Sequence, residues 1–178
     1  MKTVQILNAS SLTLHELNDV VKTVHSVLNL PVGLVPYKFN IERAYDSSRR
    51  QFSSSILLAE LISSESFTHG NMIAIVDVDL YVPILTFVYG EAQLGGRAAV
   101  VSLCRLKNSF YGVEDDPHVL VDRLAKEIVH ELGHTFGLYH CHQFECVMRA
   151  STYVEEIDLK KVMLCGECEE VFLQKMQE

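Results

Sequence analysis

Eleven residues in the C-terminal half constrain the fold of this chain more than any other segment. They read His-Glu-Leu-Gly-His-Thr-Phe-Gly-Leu-Tyr-His and run from His130 to His140. His130 and His134 are four residues apart, so on a helix both imidazoles project from the same face with Cβ atoms ~6 Å apart. Gly137 allows the helix to end in a left-handed residue, after which a sharp turn can bring His140 back toward the other two. The fold must therefore place a helix end, a turn and three imidazoles around one point.

Three imidazoles arranged in this way suit a zinc ion, which binds histidine nitrogens at ~2.0–2.1 Å. Three protein ligands leave one coordination position open, which is typical of a catalytic zinc rather than a closed structural one. Glu131 lies ~100° around the helix from His130, beside the metal position, where a carboxylate can accept a proton from water. His-Glu-x-x-His alone also arises by chance, but the complete pattern at a helix end favours metal binding. Glu131 is therefore the predicted general base. The predicted ligands of the catalytic zinc are His130, His134 and His140.

Four of the five cysteines form a second candidate metal site. They occur as two close pairs, Cys141 with Cys146 and Cys165 with Cys168. Each pair can span one edge of a tetrahedron, so the four thiolates fit a closed structural Zn(Cys)4 site. Disulfides are disfavoured in a cytoplasmic chain, and a redox CxxC would leave the first pair without a role. Cys104 lies in an apolar run and is expected to be a buried core thiol.

The alternation of apolar patterns along the chain predicts an α/β (α+β) fold, with a mixed twisted sheet packed with helices. The clearest element is a long helix that Asp115 or Asp116 can cap and Pro117 can begin. The other expected helices span Leu12 to Leu28, Arg50 to Ser63, and about Asp158 to Met163. The expected strands span Thr3 to Leu7, Tyr37 to Ile41, Met72 to Val78, Thr86 to Tyr89, and Ala98 to Leu106. No linker divides the sequence, so we expect one domain over 1–178. Its parts are a sheet-and-helix part (1–114), the active-site helix (115–137) and a cysteine-bearing C-terminal part (138–178).

The composition of the chain disfavours some classes of binding partner. Its 178 residues carry a formal net charge of -8, which disfavours nucleic acid and anionic membranes because both are bound through Lys and Arg. No apolar run approaches the ~20 residues of a membrane span, and the apolar run at the N-terminus is too short for a signal peptide. We therefore expect a cytoplasmic protein that binds neither nucleic acid nor membranes. A monomer is also expected.

The two metal motifs together resemble those of the archaemetzincins, a branch of the metzincin metalloproteases. The resemblance covers about residues 129–168 and is specific because both motifs occur in one order. The matching residues are His130, Glu131, His134, Gly137, His140, Cys141, Cys146, Met148, Cys165 and Cys168. The resemblance implies a compact metzincin-like zincin domain that cleaves peptides and holds two zinc ions, one catalytic and one structural. It also implies that Met148, which on its own could be an ordinary core methionine, forms the Met-turn beneath the catalytic zinc.

Some details of this sequence depart from the family pattern. The interval from Met148 to Cys165 is one residue shorter than in that pattern, so the helix register near the cysteine site is expected to differ slightly. Ala150 stands where other metzincins often have a tyrosine that acts on the zinc, which argues against a tyrosine switch at this position. Tyr153 is a candidate substitute for that tyrosine, and His142 is close enough in sequence for a supporting role.

The predicted function is hydrolysis of peptide bonds in a peptide or protein substrate, by attack of a zinc-bound water with Glu131 as base. An extended peptide is expected to add to an exposed sheet edge, for which the strand from Ala98 to Leu106 is the candidate. Two alternatives stay open: a non-proteolytic zinc-binding module for regulation or interaction, and a zinc hydrolase acting on a small amide. Glu131 favours catalysis, because a purely structural zinc site needs no base.

Overall fold

The computed structural model describes residues 2–64 and 70–177. Its strands are β1 (Val4–Ala9), β2 (Val32–Pro36), β3 (Tyr45–Asp46), β4 (Gln51–Ser53), β5 (Asn71–Val76), β6 (Leu80–Tyr81), β7 (Gly90–Ala92) and β8 (Ala98–Ser102). Five of these form a sheet in the order β2-β1-β5-β8-β7, and the others form a small sheet in the order β3-β4-β6. In the larger sheet β7 runs antiparallel to β8 and forms one edge, while the other pairs are parallel. The mixed α/β fold class is therefore confirmed.

Five helices accompany the sheets in the described part of the chain. They are α1 (Leu14–Leu28), α2 (Ser54–Ser63), α3 (Pro117–Thr135), α4 (Val154–Leu159) and α5 (Gly166–Gln177). Short 3-10 segments cover Ile41–Ala44 and Asn108–Tyr111. Among the described helices, none is long and apolar enough to cross a membrane.

The larger sheet separates two apolar layers, because successive side chains of a strand point to opposite faces. In β5, Ile73 and Ile75 face the layer that contains α1 and α3, whereas Met72 and Ala74 face the layer that contains α2. Every residue of β5 and of β8 is buried. Such strands carry apolar side chains on both faces, which explains why the sequence shows continuous apolar runs there rather than alternation.

Helix α3 begins and ends as its sequence predicts. The Asp116 carboxylate accepts hydrogen bonds from the backbone N–H groups of His118 and Val119, and Pro117 occupies the first turn. Toward its C-terminal end the helix is buried on all sides, because α1 and the sheet cover one side and the chain after Gly137 covers another. A buried helix end that carries histidines and a glutamate places polar groups in the interior, which is typical of a functional site.

Two of the strand predictions were wrong in position. The second strand is Val32–Pro36 and not Tyr37 to Ile41; it pairs with β1 at a sheet edge, where proline is tolerated. The alternating Tyr37 and Phe39 instead pack edge to face in an irregular segment, with ring centroids 4.8 Å apart. The predicted strand from Thr86 to Tyr89 makes a single bridge at Val88, and the regular strand follows it as β7.

The strand predicted from Ala98 to Leu106 ends at Ser102, and it is not a sheet edge. It lies between β5 and β7, so both of its backbone edges are already paired. The prediction that this strand receives an extended peptide was therefore wrong, because a peptide can add only to an unpaired edge.

The predicted helix from Arg50 to Ser63 begins only at Ser54, because Asp46 to Ser53 form a hairpin with left-handed Arg50 in its turn. The predicted final helix around Asp158 to Met163 was also wrong. Helix α4 ends at Leu159, and the chain then pairs with an earlier loop through Lys161 N–H to Glu145 O (2.9 Å). The last helix is α5, which carries Cys168.

Candidate functional site

The three predicted histidines converge at the C-terminal end of α3. Their candidate ligand nitrogens all lie within 4.8 Å of one another, and the Nε2 atoms of His130 and His134 are 3.1 Å apart. His130 Nδ1 contacts the carbonyl of Val147 at 2.8 Å, and His134 Nδ1 contacts the carbonyl of Leu138 at 2.7 Å. Because a carbonyl only accepts, each Nδ1 carries the proton and donates, so each Nε2 presents a free lone pair to the shared point.

Gly137 produces the turn that returns the chain to this point. Its φ is +88°, the left-handed region that favours glycine. The N–H of Gly137 donates to His134 O (2.9 Å), and the N–H of Leu138 donates to Gly133 O (3.0 Å). These two bonds are the Schellman pattern of a helix end. The turn therefore satisfies the last helical carbonyls while it brings His140 next to the helix.

Burial keeps these imidazoles neutral. His130 is 6% exposed and His140 lies at the surface end of the cluster. Burial lowers the pKa of His130, His134 and His140, well below the usual range for His130. The positive charge of Lys160 lowers the pKa of His130 further. Neutral imidazole is the form that binds a metal ion, so the cluster is poised for coordination at neutral pH.

Glu131 lies beside the histidines and is almost fully buried, with 6% exposure. Burial raises its pKa well above the usual range of a glutamate, and the nearby negative charges of Glu127 and Glu91 raise it further. Its side chain packs against Gly90 at the edge strand β7, where a Cβ atom would lie 2.7 Å from Glu131 Oε1. Glycine at this position therefore gives Glu131 its space.

A cavity of about 390 Å³ opens beside the histidines and Glu131. One wall is the segment 85–90, which includes Tyr89 and leads into β7, and the other is 150–152. His130, Glu131 and His140 line it together with Glu127. The volume is within the usual range for small-ligand or side-chain pockets. The imidazoles of His130 and His140 and the Glu131 carboxylate thus border one accessible space.

The four predicted cysteines also come together. Their Sγ atoms lie within 4.8 Å of one another, all are free thiols, and Cys141 Sγ is 3.7 Å from Cys165 Sγ. Zinc–sulfur bonds of ~2.3 Å in a tetrahedron place two sulfurs about 3.8 Å apart, so the observed spacing fits. Backbone N–H groups of Gln143 and Cys165 point at Cys141 Sγ and Cys146 Sγ, both at 3.4 Å. Burial raises the pKa of the Cys146 thiol, so a nearby cation would be needed to keep this sulfur as a thiolate.

Met148 is fully buried and packs directly against the helix between the two histidines. A Cβ atom on Gly133 would clash with Met148 Sδ, so the absence of a side chain at Gly133 allows this close approach. Met148 O also accepts a hydrogen bond from Cys141 N–H at 2.9 Å, which links the methionine turn to the chain just after His140. Met148 therefore lies against the part of α3 that carries His130 and His134.

The secondary candidates lie farther from the cluster. Tyr153 is 66% exposed at the start of α4 and is absent from the cavity lining, whereas Ala150 is part of that lining. His142 is exposed on the side of the cysteines and lines a different surface depression. Cys104 is half-buried rather than fully buried, and burial raises its pKa. Sequence reasoning missed Gly90 and Lys160, whose neighbours at the site are distant in sequence, and Glu127, whose ion-pair partner Lys160 is also distant.

Comparison with known proteins gives consistent matches over most of the chain. The sequence model of peptidase family M54 matches residues 5–175. The archaemetzincin of Methanocaldococcus jannaschii is 41% identical over 135 residues, covering 76% of this chain and 71% of that protein. The archaemetzincin of Haloquadratum walsbyi is 36% identical over 167 residues, covering 92% of this chain and 90% of that protein.

Solved structures show the same fold. The crystal structure of archaemetzincin from Methanopyrus kandleri aligns with a TM-score of 0.86 at 31% identity, covering 99% of this chain and 97% of that one. A zinc-dependent peptidase from Methanocorpusculum labreanum aligns with a TM-score of 0.85 at 27% identity, covering 95% of this chain and 99% of that one.

Proposed function

We propose, because the chain belongs to peptidase family M54, the archaemetzincins, that it hydrolyses peptide bonds at a zinc centre formed by the three histidines. His130, His134 and His140 are the proposed ligands, and Glu131 is the proposed general base. One observation carries the proposal: two of the imidazoles are fixed through Nδ1 so that their Nε2 atoms meet beside a buried carboxylate.

The spacing of the nitrogens supports zinc as the ion. Zinc–nitrogen bonds of ~2.0–2.1 Å in a tetrahedron separate two nitrogens by about 3.3–3.4 Å, close to the 3.1 Å between His130 Nε2 and His134 Nε2. The backbone carbonyls on each Nδ1 are the usual outer partners of metal-binding histidines. Three neutral ligands would leave the ion its full positive charge and an open position, as a hydrolytic centre requires.

His130, His134 and His140 would hold a zinc ion, which would supply acidification of water and polarisation of the scissile carbonyl. The other steps are carried out by residues of this chain. Glu131 accepts the proton of the attacking water and donates it to the leaving amine nitrogen, so the same carboxylate acts first as base and then as acid. Its burial between α3 and β7 holds it in one orientation and keeps bulk water away from the proton. The open cavity beside it receives a substrate side chain.

The edge strand β7 is the proposed docking site for the peptide. It pairs with β8 on one side only, and the segment that leads into it lines the cavity beside Glu131. An extended peptide that adds to this edge forms main-chain hydrogen bonds without regard to its sequence. The Glu91 carboxylate accepts hydrogen bonds from the Ser54 and Ser55 hydroxyls of α2. These bonds hold the strand in place.

A second, structural zinc is proposed at Cys141, Cys146, Cys165 and Cys168. Four sulfurs close the coordination shell, so this ion has no position for substrate. It would tie α5 to the turn that carries His140, because Cys141 follows that histidine directly. Zinc binding at such a site contributes to folding.

The experiment that tests the function is the substitution Glu131→Gln. The amide cannot accept the proton, so hydrolysis of a generic peptide mixture should fall by at least about 10²-fold, the usual share of general-base catalysis. Zinc content and unfolding temperature should stay at wild-type values. Asp122→Asn is the matched control, since Asp122 lies on the same helix with an exposed carboxylate, and it should keep full activity.

The outcome also separates the alternatives. Equal peptide hydrolysis by wild type and Glu131→Gln would remove the peptidase assignment. A wild-type protein that binds zinc but cleaves no peptide, only small amides, would favour the small-amide hydrolase. A protein that binds zinc and hydrolyses neither class would be a non-catalytic zinc module.

A further inference from the structure

A lysine side chain is buried behind the histidine cluster. Lys160 is 3% exposed, and its ammonium contacts Glu127 Oε1 at 3.3 Å, Arg149 O at 3.0 Å and Val147 O at 3.4 Å. The three N–H donors of the ammonium therefore each have an acceptor. The partner Glu127 is also buried, at 3% exposure, so the ion pair lies in the interior.

One of these acceptors is shared with a proposed metal ligand. Val147 O also accepts the hydrogen bond from His130 Nδ1, at 2.8 Å. A carbonyl oxygen has two lone pairs, and here His130 and Lys160 occupy both. The direction of this carbonyl, and with it the orientation of the His130 ring, therefore depends on where Lys160 holds the Val147 peptide.

The pair joins three segments that are distant in sequence. Glu127 lies on α3, one turn before Glu131, and Lys160 follows the end of α4. Val147 and Arg149 flank the buried Met148, in the loop that packs against α3 next to Gly133. A single ammonium thus fixes that loop against the helix that carries the site.

Stability alone is a weak explanation for this pair. Removing two charges from water is costly, and replacing a buried ion pair by apolar residues of similar volume is often neutral or stabilising. An ammonium nevertheless provides what a methyl group cannot, which is directional hydrogen bonds to two carbonyls of the same loop. The arrangement therefore indicates that the ion pair positions the backbone carbonyls of this loop.

We propose that Lys160 and Glu127 are positioning residues that hold the Val147 carbonyl on His130 Nδ1 and thereby set the metal affinity of the histidine site. This inference rests on the proposed function, because it takes the three histidines as zinc ligands. Loss of an outer hydrogen-bond partner typically costs about 10–100-fold in metal affinity, and the same range is expected here.

The test uses the double substitution Lys160→Met with Glu127→Met, which removes both charges and leaves neither one unpaired. Zinc-loaded protein is dialysed against buffers of stepped free zinc concentration, and the zinc retained per chain is counted. The step that disappears in the variant His134→Ala identifies the histidine site. In the double variant this step should move to about 10–100-fold higher free zinc. The free zinc concentration at which the cysteine site loses its ion should stay unchanged. The unfolding temperature of the protein whose histidine site holds no zinc should also stay unchanged.

Lys126→Met is the matched control. Lys126 is buried like Lys160, at 5% exposure, but it lies on α3. Its ammonium pairs with Asp122 at 2.6 Å, away from Val147. It should retain the wild-type zinc step. If the double variant fails to fold, Glu127→Gln takes its place, since it weakens the hold on the ammonium without creating space. It should move the histidine step in the same direction by a smaller factor.

The possible results separate two failures. If His134→Ala retains the wild-type zinc count, the proposed zinc centre itself is wrong. Suppose instead that wild type shows the histidine-site step and that the double variant, or Glu127→Gln where it is used, shows it at the same free zinc concentration. The positioning role is then wrong and the proposed function stands. In the double variant, which leaves no charge unpaired, an unfolding temperature that falls together with the zinc step would make the pair a stabilising element and overturn the inference.

Discussion

Gly90→Ala is the substitution for which the structure gives the most direct expectation. A Cβ atom at this position would lie 2.7 Å from Glu131 Oε1 and 2.7 Å from the backbone oxygen of Val100. Ordinary contacts begin at 3.4 Å, so the new methyl group needs about 0.7 Å more room on each side. Val100 belongs to the fully buried β8 and cannot retreat without opening the sheet. Most of the displacement therefore falls on Glu131 and on β7.

The size of the effect follows from that displacement. A misplacement of ~1 Å in a reacting group can cost 10²-fold in rate, so a shift of about 0.7 Å should lower kcat by roughly 10–100-fold. This corresponds to about 1.4–2.7 kcal/mol of transition-state stabilisation. Overpacking should also lower the free energy of unfolding by about 1–3 kcal/mol. Zinc content should be unchanged, because the new methyl group is directed at Glu131 and not at the histidines.

The assay compares kcat for peptide hydrolysis, zinc per chain and thermal unfolding in three proteins. They are wild type, Gly90→Ala and the control Gly166→Ala, at which an added Cβ meets nothing within 4 Å. The control should match wild type in kcat. A wild-type kcat in Gly90→Ala would refute the idea that Glu131 is confined by β7. Loss of zinc in Gly90→Ala would show that the strand supports the ligands instead of the base.

Two further predictions concern the cysteine cluster and the start of α1. Cys165→Ser should reduce the zinc content from two ions per chain to one and lower the free energy of unfolding by roughly 4 kcal/mol or more. The control Cys104→Ser lies outside the cluster and should change neither the zinc content nor the free energy of unfolding. A variant that keeps both ions would exclude Cys165 as a ligand. Thr13 and Glu16 form a capping box at the start of α1. It lowers the pKa of Glu16, mainly through the hydrogen bond with the Thr13 side chain. The charged glutamate therefore stabilises the fold at pH values above its unfolded pKa, and this stabilisation is lost as the pH falls through the lowered pKa. Thr13→Ala should therefore cost about 1 kcal/mol at pH 7 in denaturant unfolding. The deficit should shrink as the pH falls through the lowered pKa of Glu16, and Thr13→Ser should retain most of the stability; a deficit that is constant with pH would rule out the ionic part.

The parts of the site that could be predicted from sequence are those set by local geometry. Residues four apart on a helix share a face, and a glycine in the left-handed region ends the helix, so His130, His134 and Gly137 follow from spacing alone. The cap at Asp116 was predicted for the same reason, because the contacts that determine it lie within a few residues of one another. Strand β5 was predicted from its continuous apolar run, although the strands that cover it, β1 and β8, are distant in sequence.

The errors arose where tertiary pairing overrides local pattern. Lys160 to Met163 resemble the continuation of a helix, but the chain there pairs with 145–147 through backbone hydrogen bonds, which ends α4 at Leu159. Val32–Pro36 contains glycine and proline and still forms a strand, because its neighbour β1 supplies the hydrogen bonds. The position of Ala98–Ser102 within the sheet depends on the strand order, and no local signal encodes that order.

Between the two proposed metal sites, the loop from Cys146 to Met148 gives each consecutive residue a different task. Cys146 directs its sulfur toward the other cysteines, Val147 offers its carbonyl to His130, and Met148 packs beneath α3. Cys146 to Arg149 form a turn that is closed by a hydrogen bond from Arg149 N–H to Cys146 O (3.0 Å), so this short loop can face both sites only if its register is fixed. The bond from Cys141 N–H to Met148 O and the bond from Val147 N–H to Met163 O fix that register from two sides. A shift of this loop by one residue would therefore disturb both sites at once. If both sites bind zinc as proposed, a disturbance of the cysteines should therefore reach the histidines through this loop.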